Sequence, residues 1–365
     1  MDKMDKKNLC IVVPEIGSGG VEAVLLNFFS HMDRTKYNLD IVAYKISNEY
    51  RKTIFEKLGF KIILVPPKKE ALSKSLSAMS SVFKSNKYDV VHAHMTKWNC
   101  IPMFLAWKWK VPIRISHSHL AFSPSGLINK GTFLIQRLII NRCANRLCAC
   151  GEDAAISLYG RKIFESGKVS VINNAIDARK FKKNESIRLE IRDELRISDS
   201  TFCIGHIGRF HEHKNHAFLI KIFNEIHKRI PDSELLLVGD GDLKSKISDE
   251  VKKHGLGPYV LFLGVRNDPE RIYQAMDVFC MPSLYEGLPV VGIEAQAAGL
   301  PCVFSDGISP RVCISPLASV ISLGNSEQQW AEEIIKLKNY NHAVDFPKEY
   351  DIKYEVQEWE KLYLK

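Results

Sequence analysis

The chain has 365 residues, 45% of them hydrophobic and 25% charged, and 51 Lys and Arg against 42 Asp and Glu leave a formal net charge of +9. A single hydrophobic core rarely grows to that length, so two domains of ordinary globular composition are expected. No apolar run reaches the ~18 residues of a membrane span, and the charged start Met1–Lys7 lacks the apolar core of a signal peptide, so a cytoplasmic location is expected.

Leu9–Val13 reads as a strand buried on both faces; after a glycine turn, Val21, Val24, Leu25, Phe28 and Met32 recur at helical spacing. Further strands are expected at Leu39–Tyr44, Lys61–Val65, Val90–His94, Ile113–His117, Arg146–Cys150 and Val169–Ile172, with helical stretches between many of them. This alternation predicts a parallel sheet with helices on both faces. The polar stretch Asp177–Ser200 carries the interdomain connection and a short helix, Ser186–Leu195. The pattern then restarts, with strands expected at Phe202–Ile207, Glu234–Val238, Val260–Leu263, Val278–Met281, Cys302–Ser305 and Val320–Leu323, and a last helix at Val356–Leu364. The expected organisation is a first Rossmann-like domain over residues 1–178 and a second over 179–349, facing each other across a cleft. The nine cysteines include no CxxC pair and read as small apolar residues in a reducing compartment.

Ligands of open α/β sheets sit at the carboxyl ends of strands, and four features occupy post-strand loops. Gly17-Ser18-Gly19-Gly20 opens the first helix, where free N–H groups attract an anion; its spacing is not GxGxxG, and a tight turn alone also accounts for it. Gly208-Arg209-Phe210-His211-Glu212-His213-Lys214-Asn215 places a planar guanidinium and a mobile ammonium on one loop, which suits a diphosphate. Glu286-Gly287-Leu288-Pro289 leads into a helix that carries Glu294, giving two carboxylates to accept from sugar and ribose hydroxyls. His92 and His94 share one strand face and His117 and His119 another. Either His119 or His117 is a candidate to contact a sugar, with ordinary core histidines the plainer alternative. Period-two spacing and a lack of nearby acids argue against a metal there. Asp240-Gly241-Asp242 has the DxD spacing of a cation site, but its place after a strand favours a turn.

Together, Gly19-Gly20-Val21-Glu22, Val171–Asp177, the Gly208–Lys214 loop, the Gly239-Asp240-Gly241 turn and Glu286–Glu294 continued by Ala298-Gly299-Leu300-Pro301 resemble the family-four retaining glycosyltransferases of the GT-B fold. The resemblance covers nearly the whole chain, and Arg114–His119 narrows it to capsule and exopolysaccharide members. It implies a sugar transfer from a nucleotide-sugar, UDP-linked by resemblance, to a glycan or lipid-linked glycan, with retention of configuration and no metal or other cofactor. Arg209 and Lys214 would bind the donor diphosphate. Glu286, with the backbone of Gly287 and Leu288, would hold the sugar, and Glu294 the ribose. Gly19 and Gly20 would approach the phosphates, His119 (or His117) the sugar, and the Val265-Arg266 loop the base, mainly through its backbone, and the last helix, at about 350–365, would return to the first domain. Two departures stand out: Ala175 replaces the glycine of an Asn-Gly linker, which would strain a left-handed backbone, and Gly307–Arg311 lacks an acid often found nearby. A non-catalytic transferase-like subunit and a nucleotide-sugar 2-epimerase are the rival functions.

No nucleic-acid motif accompanies the positive charge, so that partner is not expected. The basic residues recurring between about 108 and 183, with Trp98, Trp107 and Trp109, suit peripheral docking to anionic lipid of the inner leaflet.

Overall fold

The computed structural model describes residues 6–68, 71–121, 126–338 and 345–364. The chain divides into two compact units, Met1–Ala175 with Ile352–Lys365, and Ile176–Asp351; the sequence reading set the first boundary three residues later, after 178.

The first unit contains a seven-stranded sheet: β1 (Lys7–Val12), β2 (Tyr37–Ala43), β3 (Phe60–Leu64), β4 (Val90–Ala93), β5 (Ile113–Ser118), β6 (Arg146–Ala149) and β7 (Val169–Val171). Their order is β3-β2-β1-β4-β5-β6-β7, and every pairing is parallel. Leu9, Cys10, Ile11 and Val12 have no exposed surface, as a central strand covered on both faces requires. The last helix, Ile352–Lys361, belongs to this unit and begins four residues before the expected start, because Ile352 is itself buried and anchors a stripe with Trp359. Trp359 stacks on Phe28 with ring centroids 4.1 Å apart.

The second unit contains a six-stranded parallel sheet: β8 (Phe202–Ile207), β9 (Ser233–Val238), β10 (Val260–Gly264), β11 (Val278–Met281), β12 (Cys302–Ser305) and β13 (Ala318–Ile321), in the order β10-β9-β8-β11-β12-β13. Leu235, Leu237, Val278, Cys280 and Val303 pack with Trp330 in its core. The edge strand β13 ends two residues before the expected Leu323. Asp306 takes the next segment away, accepting from Ser322 Oγ at 2.6 Å and from the Leu323 N–H at 2.9 Å. The connecting helix, Glu185–Leu195, is capped by Asn184, whose side chain accepts from the Ile187 N–H. Its Arg188 and buried Arg192 fork onto the two oxygens of Asp277 at 2.7 and 2.9 Å, fixing it to the start of β11.

The strain expected at Ala175 does not arise. Among the described residues the non-glycine positions with positive φ are Lys87, Thr96, Lys110, Arg196 and Asn215. Eight of the nine cysteines are buried, the ninth, Cys313, is partly so, and all are free thiols.

Candidate active site

In the second sheet β8 lies between β9 and β11. The chain reverses its direction of strand addition there, and the carboxyl edge beside such a reversal is where open α/β sheets receive ligands. The loop 208–215 leaves β8 and the loop 282–289 leaves β11, and hydrogen bonds join them. The Leu284 N–H donates to His213 O at 2.7 Å, and Asn215 Nδ2 donates to Pro282 O at 3.1 Å. On the other side, the Gly208 and Phe210 N–H groups donate to Val238 O and Asp240 O at 2.9 and 3.0 Å. Gly239 permits this approach: its φ is +136°, and a Cβ there would stand 2.0 Å from Gly208 O. Asp240 Oδ1 accepts from the Gly241 N–H at 2.9 Å, so the DxD segment is built as a turn.

This lacing brings Lys214 and Glu286 together. Lys214 Nζ lies 2.7 Å and His213 Nε2 3.3 Å from Glu286 Oε1, with the Lys214 and Glu286 side chains 11% and 14% exposed. Burial alone would raise the Glu286 carboxyl; the His213 hydrogen bond and the Lys214 charge overcome it and hold the group below its ordinary value. The backbone of Glu286 is gripped as well, its N–H donating to Gly307 O at 3.0 Å and its carbonyl accepting from the Ser309 N–H at 3.3 Å. A Cβ on Gly307 would come within 2.2 Å of Leu284 O, so this grip needs glycine.

Pro289 caps the helix Val290–Ala297, which places Glu294 in its second turn. Glu294 is buried, and its Oε2 accepts from Tyr273 Oη at 3.0 Å. Gly287 and Leu288 form the lead-in between the two carboxylates, with Leu288 buried. Arg209 is exposed two residues beyond β8. In the loop after β10, Val265 is exposed, whereas the Arg266 guanidinium bonds Asp268 twice at 2.8 Å and Glu194 at 3.0 Å. The sequence reading gave no role to His213 or Tyr273. His213 stands inside the motif that was singled out; Tyr273 lies on the helix Pro269–Ala275, where nothing in its local sequence links it to Glu294.

In the first unit, Gly19 is the N-cap of the helix Gly20–His31, and both glycines are exposed. The side chain of Glu22 folds back on this turn, and a Cβ on Gly19 would meet Glu22 Oε2 at 2.6 Å. Burial raises the Glu22 pKa, while its backbone hydrogen bonds pull the other way.

The four histidines form one cluster on a single face, not two separate pairs. In the β4–β5 register His92 pairs with Ile115, which sets His94 opposite His117. His92 Nε2 and His117 Nδ1 are 3.2 Å apart, and His94 Nδ1 and His119 Nε2 2.7 Å. Burial drives His92, His94 and His117 well below their ordinary pKa. His119 falls to about 4, by burial first, with Asn174 opposing. All four are neutral near pH 7. Ring nitrogens of His92, His94 and His117 all lie within 4.8 Å of one another.

A second surface of this unit was not foreseen. The helix Leu127–Cys143 exposes Leu127, Ile128, Leu134, Ile135 and Leu138 along one stripe and carries no acidic residue. It packs beside the helix Cys100–Lys108, whose Phe104 and Trp107 are also exposed. Of the three tryptophans expected at a docking surface, Trp107 and Trp98 are open, the latter under Lys68 Nζ at 3.7 Å. Trp109 instead packs on the core and donates its Nε1–H to Ser80 Oγ at 2.9 Å. No described helix is long and apolar enough to cross a membrane.

Residues 18–180 match the family model described as Glycosyltransferase Family 4, and residues 187–354 the one described as Glycosyl transferases group 1. The "Putative glycosyltransferase EpsF" of Bacillus subtilis (strain 168) is 34% identical over 91% of this chain and 88% of its own length. An Escherichia coli UDP-Gal:alpha-D-GlcNAc-diphosphoundecaprenol alpha-1,3-galactosyltransferase is 31% identical over 64% of this chain and 62% of its own. Among solved structures, Anabaena Alr3699/HepE in complex with UDP and glucose superposes with a TM-score of 0.80 at 19% identity, covering 97% of this chain and 98% of that one.

Proposed function

Because the chain belongs to the group 1, family-four glycosyltransferases, of two-domain GT-B architecture, we propose that it transfers a hexosyl or N-acetylhexosaminyl group from a UDP-sugar to a lipid-linked glycan in the assembly of a cell-surface polysaccharide. The observation that carries this reading is the Lys214–Glu286–His213 group at the carboxyl edge of β8 and β11. The Lys214 ammonium, ion-paired with Glu286, and the exposed Arg209 guanidinium suit the oxygens of a diphosphate. Glu286 then accepts from hydroxyls of the sugar, and Glu294, oriented by Tyr273, from those of the ribose. Gly19, Gly20 and His119 of the first unit are assigned to the donor's phosphates and sugar. The UDP-linked donor and lipid-linked acceptor rest on what the E. coli relative is named for and on the UDP and glucose of the HepE complex.

In the reaction, the bond from the anomeric carbon to the diphosphate breaks and a bond to the acceptor hydroxyl forms on the same face. The hydroxyl proton leaves with the diphosphate, and the configuration is retained. Charge grows on the diphosphate, so preorganised cations supply much of the rate, and no metal is needed in this reading. The acceptor brings the protein to the inner leaflet. The exposed apolar stripe of Leu127–Cys143, on a helix without acidic residues that packs beside the helix bearing Lys108, suits a surface that docks anionic lipid.

The test is to incubate the purified chain with UDP-glucose, UDP-galactose and UDP-N-acetylglucosamine and a lipid-linked diphosphate sugar. The expected outcome is UDP release and a product of unchanged anomeric configuration for one donor. No UDP release with any of them favours the non-catalytic subunit, and an epimerised sugar formed without acceptor favours the 2-epimerase.

A further inference from the structure

The returning helix reaches the histidine cluster through a chain of hydrogen bonds whose direction is set by chemistry. Trp359 Nε1 lies 2.7 Å from Tyr363 Oη, which lies 3.0 Å from His92 Nδ1; His92 Nε2 then meets His117 Nδ1 at 3.2 Å. An indole N–H only donates, so the Tyr363 oxygen accepts from Trp359 and has one proton to give. Burial keeps His92 and His117 neutral, so each ring carries one proton. If Tyr363 donates to His92 Nδ1, the His92 proton sits on Nε2 and donates to His117 Nδ1, and the His117 proton sits on Nε2.

The opposite direction reverses both rings and strands the Tyr363 proton, fully buried between Trp359 and His92. The two directions therefore differ in where the unmet proton falls. His117 Nε2 has no partner within the described chain, and its ring stacks at 4.2 Å on His119, which is partly exposed. In the first direction that buried nitrogen is the one unmet group, whereas in the second both it and the Tyr363 hydroxyl proton are left unmet. Buried polar groups without partners call for an explanation.

We propose that Tyr363, oriented by Trp359, is a positioning residue that holds His92 and His117 as Nε2–H tautomers. His117 thereby becomes a hydrogen-bond donor to an oxygen, of a sugar or of water, bound beside His119. The sugar as acceptor rests on the function proposed above; the tautomers do not.

The full chain labelled with ¹⁵N-histidine reports this directly. Long-range ¹H–¹⁵N ring correlations at neutral pH, assigned with His92→Gln and His117→Gln, are expected to place the proton on Nε2 of both rings. Tyr363→Phe is expected to populate the Nδ1–H form of His117 and to lower kcat ~10-fold or more with a smaller change in donor KM, since a wrong tautomer is costly at catalytic histidines. An Nδ1–H proton on His117 in the unaltered chain overturns the inference, as does a Tyr363→Phe spectrum identical to it. If Tyr363→Phe does not fold, the spectrum of the unaltered chain decides alone. Adding UDP-glucose separates the two oxygens: a shifted His117 Nε2 signal marks the sugar as acceptor and an unshifted one marks water. The assigned tautomers in a chain that transfers no sugar uphold the inference and remove the functional reading.

Discussion

Lys214 Nζ and Glu286 Oε1 meet at 2.7 Å, and this contact joins the loop after β8 to the loop after β11 at the edge where the second sheet reverses its order. Each partner has a task toward a donor that the other's charge prepares. The ammonium is held in place by the carboxylate, and the carboxylate is kept ionised despite its burial.

Removing either charge is expected to stop transfer without unfolding the chain. Lys214→Met and Glu286→Gln should each lower kcat by ~10²-fold, the scale for losing one preorganised group that stabilises developing charge. Steady-state UDP release, with far-UV circular dichroism as the folding control, checks this; turnover within a few-fold of the parent contradicts it.

Acid should dissolve the pair's contribution to stability. The Glu286 carboxyl is held below its ordinary value in the folded chain, so the unfolded chain binds its proton more readily and stability rises with pH through this group. The contribution is present above the unfolded carboxyl pKa of ~4.3 and is lost as pH falls through the lower folded value. The Tm of the parent should exceed that of Glu286→Gln near pH 7, and the gap should close toward pH 3. A gap that widens in acid contradicts the assignment.

Tyr273→Phe should weaken donor binding more than it slows chemistry. It removes the hydroxyl that meets Glu294 Oε2 at 3.0 Å, a bond of about 1–1.5 kcal/mol, which predicts a donor KM raised ~5- to 10-fold with kcat nearly unchanged. Kinetics over a UDP-sugar concentration series provide the measurement, and an unchanged KM refutes the role given to Tyr273.

The apolar stripe of Leu127–Cys143 offers a separate test. Ile135→Asp combined with Leu138→Asp alters two exposed side chains and should leave Tm unaltered, while abolishing flotation with vesicles that contain anionic lipid. Equal flotation of parent and variant counts against docking through this face.

Most of the architecture was legible because central parallel strands are continuous apolar runs. Leu9–Val12, Val278–Met281 and Cys302–Ser305 could be read without reference to anything distant. The edge strand β13 was misplaced because Ser319 and Val320 are exposed and leave no apolar pattern, while Asp306, brought from the preceding loop, decides where the strand ends. The motif loops that carry Lys214 and Glu286 were legible because each follows a strand, and the structure brings these two side chains together. Partners from other elements left no local trace. Tyr273 finds Glu294 from another helix, and Tyr363 finds His92 from the far end of the chain. The four histidines merged into one cluster through a strand register that spacing within each strand does not contain.

Calorimetric titration with UDP shows whether the β8 and β11 loops hold the diphosphate of a UDP-sugar. Saturable binding to the unaltered chain is expected, with a loss of at least tenfold, about 1.4 kcal/mol, in both Arg209→Ala and Lys214→Met. Undiminished affinity in both variants, or a folded parent that binds no UDP, would contradict this assignment.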